Sequence, residues 1–260
     1  MTKVLSFVAQ KGGTSKTTSC EVVGSILTKK GYKVLLIDLD GQMNLSSILM
    51  DYEEIEKHKN HNAFTFLFDE DSLENCVVKF SEYDLLVGSS QLYRLEELSS
   101  YEGELDFTEL KECLENRNGY DFILIDTPPN LGNLQREGII ASDYIILNVL
   151  PNQFSYIALE RIEDTLKFCK GINKNSVVLG VLISKYSERK NVNKALKSDM
   201  EELAKDLGTK LFKTCIRETA KVEESQAVGK SLISYAPKCN AFIDYMELTE
   251  EILKRIKKGV

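Results

Sequence analysis

The chain has no tryptophan, four prolines and two histidines among its 260 residues. The two histidines, His58 and His61, stand three apart in a polar, charged stretch with no nearby ligand set, which reads as solvated side chains rather than a metal site. No cysteine pair has C-x-x-C spacing. The six cysteines, Cys20, Cys76, Cys113, Cys169, Cys215 and Cys239, are scattered, which argues against a disulfide scaffold and for reduced thiols. No apolar run approaches the ~20 residues of a spanning helix, and no leader-like segment precedes the first strand pattern. A soluble, cytoplasmic protein is expected. Positive charge is not in excess: 33 Lys and Arg face 40 Asp and Glu, for a net charge of -7. Composition therefore does not mark a nucleic-acid binder, although a local basic patch could still serve one. No repeat or low-complexity linker divides the chain, and 43% hydrophobic residues supply ample core. A single domain over 1–260 is expected, with 51–119 as a variable elaboration.

Short apolar runs alternate with helical patterns. Strands are predicted at Val4 to Ala9, Val34 to Leu39, Asp84 to Val87, Phe122 to Ile125, Tyr144 to Val149, Val177 to Ile183 and Leu211 to Cys215. Helices are predicted at Thr17 to Lys30 (stopped by Gly31), Leu45 to Met50, Ala63 to Phe68, Asp106 to Asn116, Ala158 to Cys169, Asn193 to Leu207 and Ala241 to Lys257. Such alternation predicts an α/β fold: a doubly wound, mostly parallel sheet with helices on both faces and ligands at the carboxyl ends of the strands.

The first strand runs into Gln10-Lys11-Gly12-Gly13-Thr14-Ser15-Lys16-Thr17-Thr18. A strand, a glycine-rich turn with a Lys-Thr pair and then a helix form a phosphate cradle: glycines admit backbone N–H groups to phosphate oxygens, and the helix N-terminus adds a positive dipole end. Lys16 is placed for the β- and γ-phosphates, and Thr17 offers a hydroxyl to Mg²⁺. Lys11 is an additional lysine that an ordinary phosphate loop does not have. Two strands end in carboxylates. Asp40 closes Leu36-Ile37-Asp38-Leu39-Asp40-Gly41-Gln42 and can orient an attacking or metal-bound water. Asp126 closes Ile123-Leu124-Ile125-Asp126-Thr127-Pro128-Pro129, the Walker B pattern of a Mg²⁺-directed acid.

The loop resembles the deviant Walker A box of the ParA/MinD ATPases, written KGGxGK[ST][ST], and the IDTPP string resembles the same group. The resemblance extends over nearly the whole chain and is weakest between Asp51 and Gly119. It implies an ATPase that binds ATP with Mg²⁺ over Lys11 to Thr18. Lys11 would reach the partner's nucleotide in an ATP-sandwich homodimer, and Asp40 is the second aspartate of a DxDPQ-like segment needed for hydrolysis. Five positions depart from the family pattern. Ser15 replaces a glycine, Gly41 a proline and Met43 a glycine, and Arg217 stands where proline is usual. The stretch Phe212 to Leu232 resembles the family's FKTxIPRNxRLSEAPxxGKP, with Glu218 where arginine is usual. On that resemblance Arg189 and Lys221 fall at DNA-contacting positions, and with Lys190 and Lys194 they would form a patch for phosphates without base readout.

The leading expectation is therefore a DNA-segregation ATPase acting on a plasmid or chromosome. Its dimer would bind nonspecific DNA on the nucleoid, and a ParB-like centromere-binding protein would stimulate hydrolysis and release. The alternative is a MinD-like membrane-associated ATPase using the tail Glu251 to Val260 as an amphipathic anchor. That tail has no bulky aromatic and suits a closing helix with a basic C-terminus. A metabolic relative, such as a nitrogenase-iron-protein-like reductase or a metal-cluster carrier, which needs paired cysteines, and a scaffold that binds ATP without hydrolysis rank lower.

Overall fold

The computed structural model describes residues 2–69, 71–94, 107–115, 119–152, 154–187 and 191–259. Strand β1 (Lys3–Val8) leads to helix α1 (Lys16–Lys29), β2 (Val34–Asp38), α2 (Asn44–Leu49), α3 (Tyr52–Lys57), α4 (Ala63–Phe68) and α5 (Leu73–Cys76). A hairpin follows, of β3 (Val77–Lys79) and β4 (Asp84–Leu86), then a 3-10 turn at Ser90–Leu92 and α6 (Glu109–Glu115). The remainder is β5 (Phe122–Asp126), α7 (Asn133–Ile140), β6 (Tyr144–Val149), α8 (Phe154–Ile172), β7 (Val177–Ile183), α9 (Asn191–Asp206), α10 (Ala220–Ala227), α11 (Leu232–Tyr235) and α12 (Asn240–Lys258).

The strands form one sheet in the order β3-β4-β2-β5-β1-β6-β7. Every pairing is parallel except the β3–β4 hairpin at one edge. This is the expected doubly wound α/β fold. Buried on both faces, the central strands read as unbroken apolar runs, and alternate residues serve opposite layers. Leu36 and Leu124 face α1 and α12, packing with Cys20, Val23, Leu27, Tyr245 and Leu248. Leu35, Ile37, Ile123 and Ile125 face the other way, onto Phe66, Leu110 and Leu114. Ile145, Leu147 and Val181 meet Leu159, Ile162 and Leu203 of α8 and α9. Each such fully buried Leu or Ile stabilises the fold by about 1.5–3 kcal/mol relative to an exposed one. Gly31, just past the end of α1, takes the left-handed conformation at φ +91°, as its sequence position predicts.

The predicted strand at Leu211 to Cys215 does not form. The segment runs beside β7 but makes only an isolated bridge, Val181 with Leu211. The N–H groups of Lys213 and Thr214 turn instead to the Glu251 carboxylate on α12, at 3.0–3.2 Å, so a side chain takes the donors that a ladder needs. Helices α3, α5, α7, α10 and α11 and strand β3 are additions to the predicted set.

Candidate functional site

The phosphate-loop residues gather at the carboxyl ends of β1, β2 and β5. They line a cleft of about 420 Å³, with Gly12 to Thr18 as its floor and Asp40, Lys185, Arg217, Glu223 and Tyr245 among its walls. Gly13 has φ +76°, which its lack of a Cβ permits. Ser15 has φ +63° and ψ +26°, also left-handed, and serves as N-cap of α1 without a side-chain cap bond. The glycine preference at this position thus has a backbone cause, and Ser15 carries the strain. Its carbonyl is held twice, by the Ser19 N–H at 2.8 Å and the Ser19 hydroxyl at 2.7 Å. Ser19 in turn contacts the Tyr245 hydroxyl at 3.1 Å and accepts from Asn148 Nδ2 at 3.0 Å, so β6 and α12 brace the loop.

Lys16 is buried, and among the described residues it forms no salt bridge within 4.0 Å. Thr17 is half-buried, and Lys11 is exposed outside the lining of the cleft. Asp126 is fully buried, and neither of its oxygens has a partner in hydrogen-bonding geometry. Burial pushes its carboxyl up to about 6, and the nearby Asp40 adds to this, while Lys16 and the Thr17 hydroxyl pull it down. Leaving a buried carboxylate unpartnered costs roughly 1–3 kcal/mol or more, so the site is built for a ligand that completes it. Two orphaned oxygens beside a threonine hydroxyl are hard-donor chemistry that suits Mg²⁺. A methyl group on Gly12 or Gly13 would meet no atom within 4 Å, leaving the loop face open. The residues present therefore fit a magnesium–nucleotide.

Asp40 is buried at the end of β2, and its Oδ1 accepts the Gln42 N–H at 3.0 Å. It does not cap α2; that N-cap is Met43, left-handed at φ +54° and without a cap bond. Asp38 has a different task. Its Oδ2 accepts the Ser46 N–H at 2.8 Å and hydroxyl at 2.7 Å, and Ser46 Oγ accepts the Gly88 N–H at 2.9 Å. Burial first, then Asp126, pushes Asp38 up to about 8. It ties β2 to α2 and to the loop after β4.

The C-terminal stretch lines one wall of the cleft through Ile216 to Thr219, Val222, Glu223 and Gln226, with its own anchoring. The Arg217 N–H donates to Asp244 Oδ2 at 2.9 Å, a bond that proline cannot make, and its guanidinium holds both Asp244 oxygens. Gln226 on α10 donates to Thr18 Oγ1 at 3.0 Å. Lys221, expected at a DNA-facing position, is exposed, paired with Glu224 at 2.6 Å and close to the Tyr235 ring. Arg189 and Lys190 lie outside the described residues, as does the side chain of Lys194. The tail considered as a membrane anchor is the end of α12: Leu248 and Ile252 are fully buried, and Arg255 binds the carbonyls of Leu179 and Leu211. Among the described residues no helix is long and apolar enough to cross a membrane, and no cluster of three metal-ligating side chains occurs.

Sequence reasoning missed Lys185, Tyr245 and Tyr93. Lys185 follows the buried strand β7, lines the cleft and is left-handed at φ +54°; a lysine at a parallel strand's carboxyl end was the available signal. Tyr245 lines the cleft from a distant segment, Tyr93 lies outside it against Gly41, and neither leaves a local trace.

A family model for an AAA domain matches residues 2–179. A virulence plasmid ParA family protein of Chlamydia psittaci is 30% identical over 258 residues, covering 98% of this chain and 95% of that protein. The chromosome-partitioning ATPase Soj of Treponema pallidum is 31% identical over 265 residues, covering 98% of each. Among solved structures, cobyrinic acid a,c-diamide synthase from Mycobacterium smegmatis with bound ADP and magnesium superposes with a TM-score of 0.83 at 25% identity, over 100% of this chain and 97% of that one. With a deviant phosphate loop, two strand-end carboxylates and relatives matched over almost their full length, the chain belongs to the ParA/MinD-type P-loop ATPases.

Proposed function

We propose that this chain is a partitioning ATPase that works as a nucleotide-dependent dimer on DNA. The observation that carries the reading is the buried, unpartnered Asp126 beside Lys16 and Thr17 at the uncapped start of α1. In this reading Gly12 to Thr18 hold the phosphates of ATP, and Thr17 and Asp126 hold Mg²⁺, with Asp40 joining through water. When bound, the metal screens the charge on the terminal phosphate oxygens. Asp40, fixed by the Gln42 N–H, orients the attacking water, and Lys16 stands where charge develops. Lys11, exposed at the rim, reaches the nucleotide of a second copy of the chain and so couples ATP to dimerisation. Turnover is slow until a ParB-like centromere-binding partner completes the positioning. ATP then acts as a timer through its differential affinity for the two assembly states.

The dimer binds nonspecific DNA in the cytoplasm, on the nucleoid, through Arg189 and Lys221 of each copy. The pairing of Lys221 with Glu224 means that phosphate must compete with a carboxylate for it, which keeps single-copy affinity low and makes dimerisation decisive. The membrane-positioning alternative is disfavoured because the apolar face of α12 is already packed on α1 and the sheet. The test is binding to random-sequence duplex DNA with ATP, with ADP and without nucleotide at two salt concentrations. Tight, salt-sensitive binding with ATP alone is expected. Arg189→Ala with Lys221→Ala should flatten the dependence of log K on log salt by about one for each phosphate no longer neutralised. Absence of binding in all three states would overturn the DNA assignment, and equal ATP turnover in wild type and Asp40→Ala would overturn the role of Asp40.

A further inference from the structure

We infer that Tyr93 is a positioning residue for the Asp40 loop, holding from outside the cleft the segment that carries the hydrolytic carboxylate. This rests on the ATPase reading above and extends it to a residue remote in sequence. Gly41 is not among the positive-φ glycines, so its backbone does not demand glycine. Space does: a Cβ at Gly41 would lie 2.9 Å from two carbons of the Tyr93 ring and 3.0 Å from a third, closer than real Cβ atoms approach. The ring therefore lies directly on the Gly41 backbone. The Tyr93 hydroxyl bonds the Gln42 side-chain amide, and the Gln42 N–H binds Asp40 Oδ1 at 3.0 Å. The Met43 N–H closes the turn on the Asp40 carbonyl at 2.8 Å. Ring on 41, hydroxyl on 42 and amide on Asp40 make a continuous clamp.

The mount of the clamp is stiff. Tyr93 directly follows the 3-10 turn Ser90–Leu92, where Ser89 Oγ accepts the Gln91 N–H at 3.2 Å and Leu92 is fully buried. Tyr93 itself, by contrast, is 37% exposed, so it is not a core element whose loss would unfold the chain. The resembling family stiffens this turn with proline at position 41; here contact with an aromatic ring supplies the restraint, and proline would collide with that ring.

Four variants test the clamp: Tyr93→Phe, Tyr93→Ala, Gly41→Ala and the double Gly41→Ala/Tyr93→Ala. Amide hydrogen exchange of residues 40–43 is read on the nucleotide-free protein, kcat for ATP at saturation, and ADP affinity with Mg²⁺. Tyr93→Ala is expected to speed exchange at Gln42 and lower kcat by about tenfold, with ADP affinity kept within about twofold. Gly41→Ala alone should reproduce this, because its methyl expels the ring, and the double variant should be no worse than Tyr93→Ala. Tyr93→Phe, which keeps the ring, should lie between. Wild-type exchange in Tyr93→Ala, unchanged kcat, or additive effects in the double variant would overturn the inference. Exchange needs no nucleotide: if wild type showed no Asp40-dependent turnover, the ATPase reading would fail on that measurement while the clamp was still judged by exchange.

Discussion

Helices that begin at the phosphate end of the cleft start differently from those on the elaborated flank. On the flank, α3 opens with a complete capping box, Asp51 accepting the Glu54 N–H at 2.9 Å and Glu54 answering the Asp51 N–H at 3.0 Å. Helix α4 repeats the device with Asn62 and Thr65, and Ser72 and Ser89 cap the next two turns. At the cleft, α1 begins on Ser15, α2 on Met43 and α7 on Gly132, none with a side-chain cap. The wall that carries Thr219 sides with the flank, since Thr219 caps α10; the short α11 is a further uncapped start, its Ser231 hydroxyl turned to Glu82 and Ser234. In α2 the Ser46 N–H of the first turn is taken by Asp38 at 2.8 Å; in α1 no side chain caps the first turn, and its N–H groups are donors held ready for an anion. Among the described residues, the three non-glycine ones with positive φ, Ser15, Met43 and Lys185, all belong to this end as well. Among the described residues, local stability is given up where ligand is expected and kept where it is not.

Lys16→Ala should widen this contrast most. Removing the cation from the phosphate floor is expected to weaken Mg²⁺–nucleotide binding at least 100-fold, roughly 3 kcal/mol or more for charge-assisted hydrogen bonds. Isothermal titration calorimetry reads the affinity, and circular dichroism confirms the fold. Retained affinity would show that the N–H groups alone bind the phosphates.

A second prediction concerns the core behind the loop. Glu21 on α1 is buried, and burial pushes its carboxyl up to about 7, with Glu82 adding to the rise against the Ser25 and Tyr83 hydroxyls and the Leu232 N–H. Because the folded value lies above the unfolded one near 4.5, the folded state holds the proton more tightly. The stability this contributes is complete below about pH 4.5 and is lost as pH rises toward 7. The shift corresponds to about 3 kcal/mol. Urea unfolding at pH 5 and pH 8 should show that loss in wild type and much less of it in Glu21→Gln. An equal loss in both proteins would remove Glu21 from the account.

The parallel core and the chemistry were legible in the sequence because buried parallel strands are written as apolar runs and the acids end them. Tyr144–Val149 and Val177–Ile183 have the predicted bounds. Helix α7 was not legible: its buried face carries Asn133, Gln135 and Glu137, and Gln135 Nε2 donates to the carbonyls of Ala9 and Pro128, which no hydrophobic period reveals. Strand β3 is three residues at an antiparallel edge, too short for alternation. Arg217 read as a mere departure until its partner Asp244, 27 residues on, gave its N–H and guanidinium a purpose. Gly41 was legible as a missing proline, but not as the seat of the Tyr93 ring.

The smallest effect tests the contrast at its two ends. Asn62→Ala removes a flank cap with two N–H partners and should cost about 1–2 kcal/mol in urea unfolding, with nucleotide affinity unchanged. Ser15→Gly should do the reverse. Its φ of +63° costs an L-residue about 1–2 kcal/mol that glycine does not incur. Glycine's larger unfolded-state entropy offsets about 0.5–1 kcal/mol of that, so a net gain of roughly 0.5–1 kcal/mol in the nucleotide-free protein is expected. The Ser15 carbonyl keeps both Ser19 bonds, because they run to the backbone. Nucleotide affinity should hold or rise slightly as the loop reaches its bound geometry with less strain. A loss of stability in Ser15→Gly would mean that the left-handed turn is not strained, and that the uncapped start of α1 costs the fold nothing beyond its missing cap.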